Sequence, residues 1–253
     1  MSEYEKYYYE ISCSSEKWQS QEGQDTLLRI NNAIPTGGLI LEIGCGAATI
    51  IPFLRQDINY VGIDISKYAH NLAKSNLRSG ASVLLSSAEH IPYPDHYFDF
   101  ILALHSLEHV SDLRATLDEI LRVLKEKGNL YIKGPNFDWP LSVPSAIRHR
   151  SRYYKQWFRV KSIIYFVARL FGYYSFRKVG QNYVEATGTY KKPDDDLRYA
   201  ISADEIIKFF KQRGFKIDYI CPLPEETRQI KKFLTFIPGL KYFGQGMDVI
   251  LQR

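Results

Sequence analysis

The strongest chemical signal in the chain is a glycine-rich turn that is followed by an acid. Residues 42–48 read EIGCGAA, and Asp64 closes the next apolar run, VGID. Glycines allow the backbone to come close to a ligand, and nucleoside-binding folds hold the ribose hydroxyls with a carboxylate about twenty residues further on. The pair therefore predicts a nucleoside site.

The residues around the glycines indicate which kind of nucleoside would bind. A dinucleotide-binding turn places a third glycine where this chain has Thr49, so that helix and strand can pack closely. Glu42 precedes the first glycine by two residues, where a carboxylate can pair with an amino-acid ammonium group. An adenosine that carries an amino acid is favoured, and an NAD(P)-dependent oxidoreductase is the alternative.

Alternating strands and helices are expected to position these residues. Apolar runs predict strands, and helical spacing predicts the helices between them. The predicted strands are LILEIG, NYVGIDIS, 82–86, 100–103, NLYIKGPN, FKIDYI and MDVIL, and the predicted helices are 24–33, 47–54, 67–77, 112–124 and 203–213. This alternation is typical of a parallel sheet that is covered on both faces.

The alternation stops after Asn136, which predicts an insertion. We expect an N-terminal helical segment over 1–35, a Rossmann-like core over 36–136, a basic and aromatic insertion over 137–200, and a C-terminal completion of the sheet over 201–253. The expected fold class is α/β. It has a seven-stranded, mostly parallel sheet with helices on both faces, an antiparallel last strand, and an insertion (lid) between strand 5 and the following helix.

Composition, charge and cysteine spacing indicate the class of protein and the compartment in which it works. The chain is 45% hydrophobic and 24% charged, as in soluble proteins, and a net charge of +5 is too mild to favour a nucleic-acid partner. Cys13, Cys45 and Cys221 are widely spaced, which predicts a reducing compartment and no metal site. The N-terminus alternates charges without an apolar signal segment, so we expect a cytoplasmic protein.

Five motifs in order resemble the class I S-adenosylmethionine-dependent methyltransferases, especially the small-molecule group that includes ubiquinone and menaquinone methyltransferases. They are LEIGCGAA, VGIDIS, SSAEHIPYPDHYFDFI, LHSLEHV and LRVLKEKGNLYIKGPN. The resemblance implies S-adenosylmethionine as methyl donor and S-adenosylhomocysteine as product. Many relatives have an aspartate in place of Ser87 and a glycine in place of Ala48. These departures make a non-catalytic binding protein of the same fold a second alternative.

The resemblance also implies roles at the first two strand ends. Gly44-Cys45-Gly46 would lie along the methionine part of the cofactor, and Glu42 would support this turn. Asp64 would hold the ribose, and Ile65 would pack on the adenine.

Two further strand ends complete the expected site. Ser87-Ala88-Glu89 match the loop at the adenine edge, and Ala103-Leu104-His105 match the end of the fourth strand beside the methionine moiety. His105 is also a candidate base, because a histidine can take a proton from a substrate hydroxyl near neutral pH. Asn136 could orient a substrate or cap a turn. Glu108 and His109 are expected to make local hydrogen bonds instead.

The segment 147–178 carries many basic and aromatic residues and no acid. A helix over 156–171 would place one apolar stripe on a single face, formed by Ile163, Ile164, Val167, Leu170 and Phe171. The segment could be a lid whose stripe packs over the active site, a peripheral membrane contact, or, less favoured, an RNA contact. The whole insertion ends in TGTYKKPDDD (187–196) and is followed by a helix, and in this it resembles polysaccharide-associated methyltransferases. The resemblance implies an acceptor that is a small molecule, a sugar (glycan) or a lipid-linked molecule and is methylated on oxygen.

Overall fold

A computed structural model describes residues 15–173, 176–192, 195–221 and 246–253 of the protein. Strands and helices alternate along much of the chain, but β1 is joined to β2, and β3 to β4, without an α-helix. The strands are β1 (Leu39–Ile43), β2 (Asn59–Asp64), β3 (Ala81–Leu85), β4 (Phe98–Leu104), β5 (Leu124–Gly134), β6 (Arg177–Lys178), β7 (Tyr199–Ala200), β8 (Lys216–Ile220) and β9 (Met247–Gln252). The helices are α1 (Gln21–Ala33), α2 (Lys67–Ala73), α3 (Leu113–Val123), α4 (Arg152–Leu170), α5 (Tyr183–Thr187) and α6 (Ala203–Lys211).

The main sheet has seven strands in the order β3-β2-β1-β4-β5-β9-β8, and β6 pairs with β7 in a separate two-stranded sheet. β1 is parallel to β2 and β4, and β2 is parallel to β3. The mostly parallel, seven-stranded fold with flanking helices confirms the expected fold class. The antiparallel direction of the last strand stays a prediction.

The strand register places four strand ends in one row. Ile43 of β1 lies opposite Ile63 of β2 and Ala103 of β4, and Asp64 lies opposite Leu85 of β3. The chain leaves β1 towards β2 and β3 on one side and returns to β4 on the other side. Ligands of open α/β sheets bind at such a switch in strand order, beyond the carboxyl ends of the strands.

Contacts divide the chain into two compact units. The first comprises the described residues of Met1–Ser106, Arg114–Ile132 and Gln252–Arg253, and the second comprises those of Leu107–Leu113 and Lys133–Leu251. Each unit buries its own apolar side chains. The largest include Tyr60, Phe98 and Phe100 in the first unit, and Phe209 and Phe210 in the second. The four segment boundaries expected from the sequence stay predictions.

The helix predicted over 47–54 is wrong. The segment forms turns and a single 3-10 turn at Ile51–Phe53. Gly46 and Ala48 have φ values of 54° and 52°, in the left-handed region, and Pro52 has no N–H to donate to a helix. The glycine turn is therefore not followed by the long helix that normally presents its N-terminus to a phosphate or carboxylate.

A buried ionic network holds the inner face of α4 in the second unit. The Arg169 guanidinium donates to Asp138 Oδ1 at 3.2 Å, to the Asp138 carbonyl at 3.1 Å, and to the Ser202 hydroxyl. Arg177 is also buried and donates to Ser162 Oγ of α4 at 2.7 Å. The side of α4 that faces the protein is therefore rich in polar contacts.

Removing Arg169 should destabilise the second unit, because the Asp138 carboxylate would stay buried without its cation. We expect Arg169→Ala to lower the free energy of unfolding by about 3–5 kcal/mol in urea denaturation. Arg159→Ala is the matched control, since Arg159 lies on the same helix and is partly exposed. It should change stability by less than about 0.5 kcal/mol. Equal losses in the two variants would contradict the network.

Candidate functional site

The glycine turn passes directly over the ends of two strands. The N–H groups of Gly44 and Cys45 both donate to the Ile63 carbonyl of β2, at 2.9 and 3.1 Å. Gly44 has a φ of 65°, and a Cβ placed on it would lie 2.7 Å from the Cβ of Ser106, two residues beyond β4. Only glycine fits this close approach without strain.

Asp64 ties the end of β2 to the same turn. Its buried carboxylate accepts a hydrogen bond from the Gly46 N–H at 2.9 Å and one from the Ser66 N–H at 2.8 Å. A carboxylate offers about four acceptor positions, so bonds within the protein and bonds to ligand hydroxyls are compatible. The neighbouring Ile65 side chain is 72% exposed, although it is strongly apolar.

Two more loops meet at this edge of the sheet. The Ser86 N–H donates to the Asp64 carbonyl at 3.0 Å, and the Ser87 hydroxyl donates to the Glu89 carboxylate. His105 follows β4 with an exposed side chain and a φ of 52°. A left-handed conformation costs a non-glycine residue roughly 1–2 kcal/mol, and such strain is concentrated at functional sites.

The structure thus brings the cofactor residues expected from the sequence to one edge of the first unit. Each group lies at or just after the end of one of four adjacent strands. The groups are Ser87, Ala88 and Glu89 after β3; Asp64 and Ile65 at β2; Glu42, Gly44, Cys45 and Gly46 at β1; and Ala103, Leu104 and His105 at β4. Which of them touch a cofactor stays a prediction.

Asn136 lies in the second unit and makes structural hydrogen bonds. Its Oδ1 accepts from the N–H groups of Asp138 at 3.2 Å and Ala203 at 2.9 Å, and its Nδ2 donates to Asp138 Oδ2 at 3.0 Å. These bonds join the segment after β5 to the start of α6, which favours the capping alternative. A role in orienting the substrate stays a prediction.

Glu108 and His109 also make contacts within the second unit. The Glu108 carbonyl accepts from the N–H groups of Arg198 and Tyr199, at 2.8 and 3.0 Å. His109 Nδ1 lies 3.4 Å from Asp196 Oδ2. The geometry agrees with the structural role expected for both residues.

Sequence reasoning missed a buried pair beneath the glycine turn. The Tyr60 hydroxyl of β2 donates to Glu42 Oε2 of β1 at 2.5 Å. Burial raises the pKa of Glu42 to about 7. A Cβ on Gly62 would lie 2.9 Å from Tyr60 Oη and 2.7 Å from Cys45 Sγ, so the strand needs a glycine there. A glycine inside an apolar strand was the available signal, since it often marks a close approach.

The row of strand ends has the groups that a site for an adenosine ligand requires. Gly44 is exposed and permits close approach, Asp64 supplies acceptors for hydroxyl groups, and Ile65 offers an uncovered apolar surface for a base. The Ser106 hydroxyl beside the turn is buried and has no hydrogen-bond partner among the described residues. Such a group costs roughly 1–3 kcal/mol unless a polar partner reaches it, so the residues fit a polar ligand at the turn.

Comparison with known proteins decides which nucleoside is involved. Residues 41–132 match the family model described as a methyltransferase domain. They form a class I methyltransferase domain. The cofactor of this family is S-adenosylmethionine, which combines the adenosine and the amino-acid group that the turn and Asp64 predict. The family match does not favour the dinucleotide oxidoreductase.

The relatives of this methyltransferase domain match the chain over different lengths. The demethylmenaquinone methyltransferase of Thermotoga maritima is 24% identical over 185 residues, which cover 71% of each chain. The ubiquinone biosynthesis O-methyltransferase of Rhodopseudomonas palustris is 32% identical over 105 residues, 40% of this chain and 41% of that protein. The chain spans less than half the length of several curated relatives that it matches.

A solved structure shows that the likeness in fold extends beyond the domain. The S-adenosylmethionine-dependent methyltransferase of Mesorhizobium loti has a TM-score of 0.57 at 14% identity, and the match covers 92% of this chain and 98% of that one.

Gly44→Ala should destabilise the methyltransferase domain more than Gly37→Ala. The φ values are 65° and 68°, so both substitutions carry a left-handed strain of roughly 1–2 kcal/mol. A Cβ on Gly37 meets nothing within 4 Å, whereas one on Gly44 is 2.7 Å from Ser106 Cβ. We expect an additional loss of about 1–3 kcal/mol for Gly44→Ala in urea denaturation. Equal losses would mean that the turn does not need a glycine at position 44.

Glu42 should make the methyltransferase domain less stable as pH rises. Burial raises its pKa from 4.5 to about 7, so the folded state holds this proton more tightly than the unfolded chain. Its contribution is fully present below pH 4.5 and is lost as pH rises through about 7, a fall of about 3 kcal/mol.

Glu42→Gln should remove this part of the pH dependence while leaving an acceptor for Tyr60. The measurement is the free energy of unfolding at pH values from 4.5 to 8. Glu205, whose pKa burial also raises to about 7, keeps its own contribution in the variant. An unchanged pH dependence in Glu42→Gln would show that Glu42 is ionised in the folded protein at all these pH values.

Proposed function

We propose that the protein transfers a methyl group from S-adenosylmethionine to a hydroxyl oxygen of a small or lipid-linked acceptor. The observation that carries the proposal is the row of strand ends in the first unit. There the glycine turn, the Asp64 carboxylate and the uncovered Ile65 side chain meet within the segment that matches the methyltransferase family.

We assign the two ends of the cofactor to different strand ends. Asp64 accepts the ribose hydroxyls, Ile65 packs on the adenine, and Gly44-Cys45-Gly46 lie along the methionine part. Ser87 stands where many relatives have an aspartate, and its hydroxyl already donates to the Glu89 carboxylate. We assign the Ser87-Ala88-Glu89 loop to the adenine edge from the family resemblance, and its internal hydrogen bond would hold the three residues together there.

The residues contribute mainly alignment to the reaction. The bound cofactor supplies a sulfonium methyl group that is already activated, so the protein has to orient the acceptor oxygen in line and keep out water. Transfer would form a carbon–oxygen bond at the cost of the carbon–sulfur bond, and the acceptor would have to lose its hydroxyl proton. His105 is our candidate for receiving that proton, since its exposed side chain follows β4 and its chain neighbour Ser106 lies against Gly44.

Two observations support an acceptor with lipid-soluble character. One relative is named as an O-methyltransferase of ubiquinone biosynthesis, and another as a demethylmenaquinone methyltransferase. The insertion between β5 and α6 exposes a row of large apolar side chains. A hydroxyl on a quinone-like ring or a lipid-linked sugar fits these features better than a free, fully polar glycan.

S-adenosylhomocysteine should bind the whole protein in calorimetry, and NAD should not. Asp64→Asn should weaken the binding about tenfold or more, because hydrogen bonds to a charged acceptor contribute about 1.5–3 kcal/mol. Asparagine preserves the size of the side chain and an acceptor for the Gly46 N–H, but it has no second acceptor for the Ser66 N–H. Circular dichroism and urea denaturation would verify folding.

Asp118→Asn is the matched control for this substitution. Asp118 is half exposed on α3 and pairs with Arg114 at 2.8 Å, and α3 contributes no residue to the assigned cofactor site. Its replacement should leave the affinity unchanged. NAD binding without S-adenosylhomocysteine binding, or equal affinities of the Asp64→Asn variant and the native protein, would refute the assignment.

A further inference from the structure

The α4 helix has an exposed apolar face. Its side chains recur every three or four residues, so they form one stripe along the helix. The exposed fractions lie between 39% for Leu170 and 89% for Tyr153. The stripe consists of Tyr153, Trp157, Val160, Ile163, Ile164, Val167, Leu170 and, just past the helix, Phe171.

This face is the opposite of the one that α4 uses to pack. The buried positions of the helix are Phe158, Ser162 and Arg169, and the last two are held by hydrogen bonds within the second unit. An ordinary surface helix buries its apolar stripe and exposes its polar one. Here the polar side is inside, and large apolar side chains face the solvent. Patches of this kind mark interaction surfaces.

Basic side chains border the stripe on both sides. At about 100° per residue, Arg152 and Arg159 lie along one border and Lys161 lies along the other. Lys161 Nζ is 5.6 Å from the centre of the Trp157 ring. The chain has no acid from 147 to 178 that could neutralise these charges locally.

We propose that α4 lies in the plane of an anionic membrane surface. The stripe inserts among the lipid headgroups, and Arg152, Arg159 and Lys161 reach the lipid phosphates from the borders. Aromatic residues such as Trp157 and Tyr153 suit this depth, because their rings are amphipathic. Within the described ranges, no helix combines the length and apolar character needed to cross a bilayer. The binding depends on the helix surface and not on the identity of the methyl acceptor.

Two other occupants fit the same surface less well. A second copy of the chain that paired through this face would bring like charges together, since residues 147–178, which include the helix, contain no acid. A nucleic acid would need stacking surfaces for its bases, but the middle of the stripe is aliphatic, with Val160, Ile164 and Val167.

Co-sedimentation of the whole protein with vesicles tests the proposal. Vesicles that contain phosphatidylglycerol should bind the protein, vesicles of phosphatidylcholine alone should bind it more weakly, and added salt should reduce the difference. Ile164→Asp should lower the partition coefficient at least tenfold. Leu28→Asp is the matched control, because Leu28 on α1 is 61% exposed and Ile164 is 58% exposed. It should leave vesicle binding unchanged.

A second variant tests the basic borders. Replacement of Arg152, Arg159 and Lys161 by glutamine should remove the preference for anionic vesicles. Each lost charge should lower the partition coefficient for these vesicles roughly fivefold. Absence of binding to anionic vesicles at low salt, or equal binding by Ile164→Asp and the native protein, would overturn the proposal. A dimer in size-exclusion chromatography that Ile164→Asp dissociates, without vesicle binding, would overturn it and assign the stripe to a second copy.

Discussion

The hydrogen bond between the Asp64 carboxylate and the Gly46 N–H sets the geometry of the candidate cofactor site. It joins the end of β2 to the turn after β1, and the same carboxylate receives the Ser66 N–H at the start of α2. No α-helix follows the turn before β2 to constrain its conformation. Its shape depends on Asp64, on the Ile63 carbonyl and on the narrow space that Ser106 leaves at Gly44. The group proposed to hold the ribose is thus also the group that holds the loop.

Much of this edge could be predicted from the sequence because the evidence for it is local. A continuous apolar run identifies a buried parallel strand, and the acid at its end is placed by the register of β1 and β2. The helix over 47–54 could not be placed in the same way. Helical spacing of apolar residues does not reveal that Ala48 takes a left-handed conformation. Pro52, which has no N–H to donate, also opposes a helix there. The Tyr60–Glu42 pair depends on which residues lie side by side in adjacent strands, so one chain segment alone does not show it.

The insertion shows another limit of sequence patterns. The apolar stripe on α4 was predicted with nearly the correct members, but a periodic pattern does not say whether the stripe faces protein or solvent. A role of the segment as a lid stays a prediction. In this structure the stripe side chains are exposed and Arg169 on the opposite face is buried. That arginine finds its partner, Asp138, thirty-one residues away in sequence. Buried charges that are satisfied over long distances decide the orientation of the helix.

Gly62 illustrates how the packing beneath the glycine turn limits which amino acids β1 and β2 can carry. The absence of a side chain there makes room for both the Tyr60 hydroxyl and the Cys45 thiol, and the hydroxyl in turn bonds to Glu42. Three positions on two strands (42, 60 and 62) and one in the glycine turn (45) therefore share one small volume. A larger residue at 62 is tolerable only if residue 60 or 45 shrinks, and loss of the hydroxyl at 60 leaves the acid at 42 without its donor. Among descendants of this sequence, positions 42, 45, 60 and 62 should change as a correlated group.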